Sequence, residues 1–330
     1  MLAKLKNLLT VFWHLVFGDI RTQNTQMTDS DCHLYIQASY GMSESNQELN
    51  TSGIVFSFDR AMQLHALLGS YRDQVTNGPK LSVIYKASSE SHNKAYQEVF
   101  EEFSDCILFA IKQETKESFK EILIDILTQN NSKNVFFLVD DNLFIEPLDL
   151  SSFALHANSF TVPTFRLGEN LNFSYVVQKV QPKPKFLAYQ CNSNELTPSI
   201  DLLSWVWING DLDWGYPLSV DGHLFQRKEL LAICKAIWFD SPNSFETHLQ
   251  SFLHSYQYRL GICFRKSRLI NIPYNRVQSD FNNLSGQIHQ DEMLYLWSQG
   301  NRINRVAYYN LINVSAHQEM PLKLTQVMVK

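Results

Sequence analysis

The stretch NVFFLVDDN (134–142) decides how this chain is read: apolar residues run from Val135 to Val139 and stop at Asp140, Asp141 and Asn142. Three similar runs lie upstream, GIVFSF (53–58), LSVIYK (81–86) and CILFAI (106–111). Helical stripes separate them. Leu64, Leu67, Leu68, Tyr71 and Val75 form the first, and Ala95, Val99 and Phe103, widened by Tyr96 and Phe100, form the second. The third is Phe119, Ile122, Leu123, Ile126 and Leu127. Short apolar strands alternating with helices predict an α/β fold: a mostly parallel, Rossmann-like sheet with helices on both faces. Such a sheet is buried on both sides, which suits the near-continuous apolar runs.

Composition bounds the rest. The chain has 330 residues, 45% of them hydrophobic and 18% charged, with a net charge of -5. That is too apolar and too weakly charged for a disordered chain, and it lacks the basic excess of a nucleic-acid binder. With 12 glycines, against a usual share of roughly 7%, the chain is neither collagenous nor linker-like. The cysteines at 32, 106, 191, 234 and 263 are odd in number and form no CxxC pair, so a disulfide framework is not expected and a reducing, cytoplasmic setting is.

Leu8 to Phe17 is strongly apolar but about half the length of a membrane span. Its stripe of Leu5, Leu8, Leu9, Phe12 and Val16, flanked by Lys4, Lys6 and Arg21, predicts an amphipathic helix over residues 2–17. Such a helix lies on the inner membrane face, docks on the protein's own core, or joins a second subunit. Residues 22–50 are polar and read as a linker. The expected organisation is therefore residues 1–50 as helix and linker, 51–150 and 151–285 as two halves of one domain, and 286–330 as a C-terminal extension.

Ligands of open α/β sheets gather at the carboxyl ends of the strands. The first strand ends in Ser57-Phe58-Asp59-Arg60, with neither GxGxxG nor GxxxxGK[ST], so no dinucleotide fingerprint or P-loop is present. Arg60 there either forks onto a phosphate or starts a helix paired with a carboxylate. Asp140 and Asp141 repel each other, and a divalent cation bridging to a diphosphate gives one reason to keep them together. A solvated turn is the other.

This order of parts resembles the GT-A fold of nucleotide-sugar-dependent glycosyltransferases. In that family an Asp-x-Asp motif closes the nucleotide-binding half, a position taken here by Asp140-Asp141-Asn142. SFDRAMQL (57–64) is similar to the first-strand loop of several members, including the exostosin type. The resemblance implies Mn²⁺ or Mg²⁺ held by Asp140, Asp141 and Asn142, and a donor of UDP or GDP type bound by Ser57, Asp59, Arg60, Asp140, Asp141, Gly222 and Arg276. It departs at Asn142, where the family usually has a second acid; an amide oxygen brings no charge.

The downstream half is less regular, with FTVPTFRLG (160–168), FLAYQ (186–190) and tryptophans at 205, 207 and 214, and a mixed acceptor-side half is expected. YPLSVDGHLFQRK (216–228) resembles the family's glycine-containing acceptor segment. Gly222 would let backbone approach the donor sugar, or simply make an Asp-Gly turn. Asp221 and Glu246 are joint candidates for the catalytic base; Glu246 alternatively complements a helix dipole. Trp214, Tyr216 and His223 are expected to meet the acceptor, a glycan or lipid-linked glycan. Asn275, Arg276 and His289 are candidates for a group that closes the site. The resemblance spans roughly residues 53–280. The expectation is a metal-dependent glycosyltransferase, with a sugar nucleotidyltransferase and a catalytically silent carbohydrate-binding or scaffold protein as alternatives. The first alternative normally carries a glycine-rich basic loop that SFDRAMQL lacks.

Overall fold

The computed structural model describes residues 51–189, 202–275 and 288–327. The expected N-terminal helix and linker (1–50) and Arg276 lie outside them. The chain forms β1 (Thr51–Phe58), α1 (Ala61–Gln74), β2 (Leu81–Lys86), α2 (Glu90–Glu102), β3 (Ile107–Lys112), α3 (Ser118–Gln129) and β4 (Asn134–Val139). β1 pairs in parallel with β2 and β4, and β2 in parallel with β3. A mainly parallel central sheet flanked by helices results, as the sequence predicts.

The period-2 alternation of each strand divides its side chains between two cores. Val55, Val83, Phe136 and Leu138 face α1 and α2, meeting Leu64, Leu67, Leu68, Tyr96 and Val99. Ile54, Phe56, Ile84, Val135 and Phe137 face the other way, onto Phe119, Leu123 and Leu127 of α3. Full burial of each such aliphatic or aromatic side chain contributes about 1.5–3 kcal/mol, which fixes the strand register. Gly53 is needed for packing, since an added Cβ would come within 2.4 Å of Leu81 and 2.5 Å of Phe136. The expectation of two buried faces fails at one strand. CILFAI lies at the sheet edge as β3, with Leu108 48% and Phe109 53% exposed.

The second half contributes β5 (Asn142–Phe144), β6 (Thr161–Gly168), β7 (Phe173–Ser174), β8 (Lys179–Val180), β9 (Leu187–Tyr189), β10 (Leu202–Val206), β11 (Leu224–Gln226), α4 (Arg227–Ala236), α5 (Pro242–Leu249), β12 (Leu260–Phe264) and β13 (Leu269–Asn271). β9, β10, β12 and β6 make a second, mixed sheet in that order, β7 and β8 a short hairpin, and β5 pairs with β13. β11 returns to the first sheet and pairs antiparallel with β4, Leu224 opposite Phe136. Its start therefore arrives where the parallel strands end, which carries Asp221 to the mouth of β4.

Residues 288–327 pack against the first half. α6 (Gln290–Ser298) places Met293 and Trp297 in the α1/α2 core, and Ile303 and Tyr308 follow them there. Cys106, Cys234 and Cys263 are free and buried; Cys32 and Cys191 lie outside the described residues. Among the described residues no helix is long and apolar enough to cross a membrane.

Candidate functional site

A cleft of about 360 Å³ opens at the carboxyl ends of the parallel strands, within the size range of small-molecule sites. Arg60, Asp141, Arg166, Asp213, Tyr216, Asp221, Glu246, Asn275 and His317 line it, with Tyr175, Val176 and Asn243 on the rim. The sequence singles out Arg60, Asp141, Tyr216, Asp221, Glu246 and Asn275, and the fold brings these six to one cavity.

The loop after β1 is built around Asp140. Asp140 Oδ2 accepts from Ser57 Oγ at 2.8 Å and from Phe58 N–H at 3.1 Å. Its Oδ1 accepts from Arg60 Nη1 at 3.0 Å, and the same nitrogen donates to Asp141 Oδ2 at 2.6 Å. Arg60 Nη2 donates to the Asn275 carbonyl. Burial opposes the Arg60 charge, but Asp141 and Asp140 outweigh it and hold the guanidinium firmly protonated. Ser57 and Asp59 were expected to touch a donor and do not line the cleft. Ser57 is spent on Asp140. Asp59 takes a left-handed φ of 53° and turns its carboxylate onto the Ser88 N–H at 2.8 Å, fixing the loop against the start of α2.

Asp140 Oδ1 and Asp141 Oδ2 converge on Arg60 Nη1, which already supplies a cation there, and Asn142 turns away from that point. Both Asp140 oxygens are committed. Asn142 Oδ1 accepts from Val139 N–H at 2.9 Å and its Nδ2 donates to Asp221 Oδ1. Only Asp141 keeps a free oxygen, a buried Oδ1 without a hydrogen-bond partner. Among the described residues no group of three or more His, Cys, Asp or Glu is arranged to hold a metal ion. The expected three-residue ligand set therefore does not fit a cation. Burial pushes the Asp141 carboxyl up to about 7; Arg60 opposes this, while Asp140 and Asp221 add to it.

Arg166 anchors the opposite wall. It is a buried cation in the middle of β6, and burying a charge is costly unless it is paired. Its Nη1 donates to Asp221 Oδ2 at 3.1 Å and Ser219 Oγ at 3.2 Å, and its Nη2 to Asp213 Oδ1 at 3.3 Å. Glu246, in the second turn of α5, accepts from Val220 N–H at 3.3 Å and faces the cleft. Burial raises its pKa, with Arg166 and Ser219 opposing. His317 Nε2 reaches to 3.4 Å from Asp221 Oδ2. Burial and the Arg166 charge keep that imidazole below its ordinary pKa, against the pull of Asp221.

Several expected contacts are corrected. Trp214 is fully buried, its ring 5.1 Å from Trp205 and 5.2 Å from Phe186, and its apolar area is consumed by the core. His223 is equally buried against Trp207, with Nδ1 3.1 Å from the Pro217 carbonyl, and burial pushes its pKa down to about 3. Gly222 has φ +74°, and a Cβ there would sit 2.7 Å from Leu269. It makes a tight turn against β13 rather than facing the cleft. His289 is exposed at the start of α6 and does not line the cleft.

Arg166, Asp213 and His317 were not anticipated. An arginine inside the apolar FTVPTFRLG was the available signal, because a strand cation needs buried acids nearby. His317 carries no comparable signal; a β-bridge between Asn271 and His317 sets its place.

No protein-family model matches the chain, and no curated protein matches it. Among solved structures it is similar to TarS 1–349 of S. aureus, at 15% identity and a TM-score of 0.41, covering 67% of this chain and 59% of that one. It is also similar to TarS 1–349 of S. aureus in complex with UDP, at 17% identity, a TM-score of 0.43 and the same 67% and 59% coverage. The chain thus spans 59% of the length of these two structures.

Proposed function

We propose that the chain is a glycosyltransferase that moves a sugar from a nucleotide-diphospho donor of UDP or GDP type to a glycan or lipid-linked acceptor. The observation that carries this reading is Glu246. It is a carboxyl facing a cleft at the ends of parallel strands, and burial raises its pKa toward the range a general base needs. Asp221 is the weaker base, since Asn142, Arg166 and His317 already surround its oxygens.

In the proposed reaction the acceptor hydroxyl gives its proton to Glu246 while its oxygen bonds to the anomeric carbon. The bond from that carbon to the diphosphate oxygen breaks, and its electron pair leaves with the nucleoside diphosphate. Arg60 and Arg166 orient the polar parts of both substrates, and Tyr216 offers a ring at the cleft wall.

Calorimetric titration with UDP and GDP tests this reading, each in Mn²⁺, in Mg²⁺ and in EDTA. Binding of one nucleotide, and release of that nucleotide from its sugar conjugate when an acceptor is added, is expected. A folded protein that binds neither nucleotide under any of these conditions overturns it. A catalytically silent carbohydrate-binding protein is the second reading, supported by the commitment of Asp140 and Asn142 to internal bonds. It predicts glycan binding on an array with no nucleotide release.

A further inference from the structure

We infer that Asn142 is a positioning residue: its side-chain amide bridges the end of β4 to Asp221 and thereby fixes Arg166 in the cleft. The amide uses both ends. Oδ1 accepts from the Val139 N–H at 2.9 Å, and Nδ2 donates to Asp221 Oδ1. Asp221 then passes the constraint on through Oδ2, which accepts from Arg166 Nη1 at 3.1 Å; Arg166 Nη2 continues to Asp213 at 3.3 Å. Asn142 is 1% exposed and Asp221 4%.

The residue type follows from this geometry. The position facing Asp221 must donate, because the partner is a carboxylate, and the position facing Val139 must accept, because the partner is an N–H. A primary amide does both with one planar group. An aspartate could satisfy only Val139. It would set a second carboxylate against Asp221 in a buried place, where like charges repel strongly. The departure from an acidic third position is therefore what the Asp221 contact requires. The inference is independent of the sugar-transfer reading, because its main readout needs no donor.

Exchanging the two side chains tests it. In Asn142→Asp, two carboxylates meet. In Asp221→Asn, a single amide oxygen must serve two donors, Asn142 and Arg166, while its own NH₂ opposes one of them. In the double variant the carboxylate at 142 accepts from Val139 N–H and from the amide at 221, whose oxygen still accepts from Arg166. Melting temperatures in EDTA should fall by several degrees in each single variant and recover most of the loss in the double. The Arg166 Nε–H resonance should shift in both single variants and return in the double. If Asn142→Asp gives no soluble protein, recovery of soluble protein by adding Asp221→Asn is the same expected result. The inference is overturned if the double variant is as unstable as the sum of the singles. It is also overturned if Asn142→Asp keeps its melting temperature and binds Mn²⁺ more tightly than the parent, as a metal-ligand role requires.

Discussion

Arg60 Nη1 donates to Asp141 Oδ2 at 2.6 Å in the wall of the cleft, yet Asp141 Oδ1 on the same carboxylate is buried without a partner. One oxygen is saturated and the other is not, so burial dominates and the carboxyl pKa rises to about 7 from an ordinary 3.8. Between those values the folded state holds a proton that the unfolded state has lost. Stability must then fall as pH rises through this window. Asp141→Asn is expected to melt higher than the parent near about pH 8 and to match it near about pH 4, in thermal melts with EDTA. An unchanged difference across the range would show that the carboxyl is ionised throughout.

Glu246→Gln should slow sugar transfer by about 10²–10⁴-fold, the usual worth of a general base, with nucleotide affinity roughly unchanged. Because burial raises the Glu246 pKa, the parent rate should climb with pH through that raised value, and the variant should lose this limb. Initial rates across a pH series check both. A slowdown below tenfold would remove Glu246 from the base role.

Arg166→Met should be strongly destabilising. It leaves Asp221 and Asp213 buried without their cation, and breaking a buried ion pair costs about 3–5 kcal/mol. Denaturant unfolding measures this directly, and a loss below about 1 kcal/mol would mean that solvent reaches the pair.

Trp214→Ala separates core from site. The ring is fully buried among Trp205 and Phe186, so truncation should cost about 3–5 kcal/mol. Tyr216→Phe, at the cleft wall, removes only a hydroxyl bonded to Gln250, so it should cost about 0.5–1.5 kcal/mol and act mainly on ligand affinity. Paired unfolding and binding curves for the two variants check the contrast.

The first half of the fold was legible because its signal is local. Hydrophobic period alone assigns β1 to β4 and the intervening helices, and Arg60, Asp140 and Asp141 follow as residues at strand ends. Exposure of β3 was not legible, since an edge strand and a central one share the run CILFAI. The site was half legible for the same reason. Asp221 and Glu246 follow from the family resemblance of the segments that carry them, whereas His317 reaches the cleft from a segment without periodicity, placed by a single bridge to Asn271. Trp214 and His223 misled because sequence does not say which side of a turn faces the core. Asn142 looked like a weakened ligand until its partner at 221 was known, a contact set by tertiary pairing of β11 with β4.

That pairing also ties down one wall of the cleft. β11 is pinned at its start by Gly222 N–H on the Phe137 carbonyl at 2.9 Å. At its end, the Arg227 guanidinium donates to the carbonyls of Ser132 at 2.7 Å and Leu127 at 2.6 Å. The hairpin of β7 and β8 is held at its base, where Gln181 Oε1 accepts from the Asp213 N–H at 3.2 Å, while Val176 in its turn and Val180 beside that base stand 53% and 78% exposed. The wall carrying Asp221 is therefore a fixed jaw of the cleft, tied down at both ends of β11.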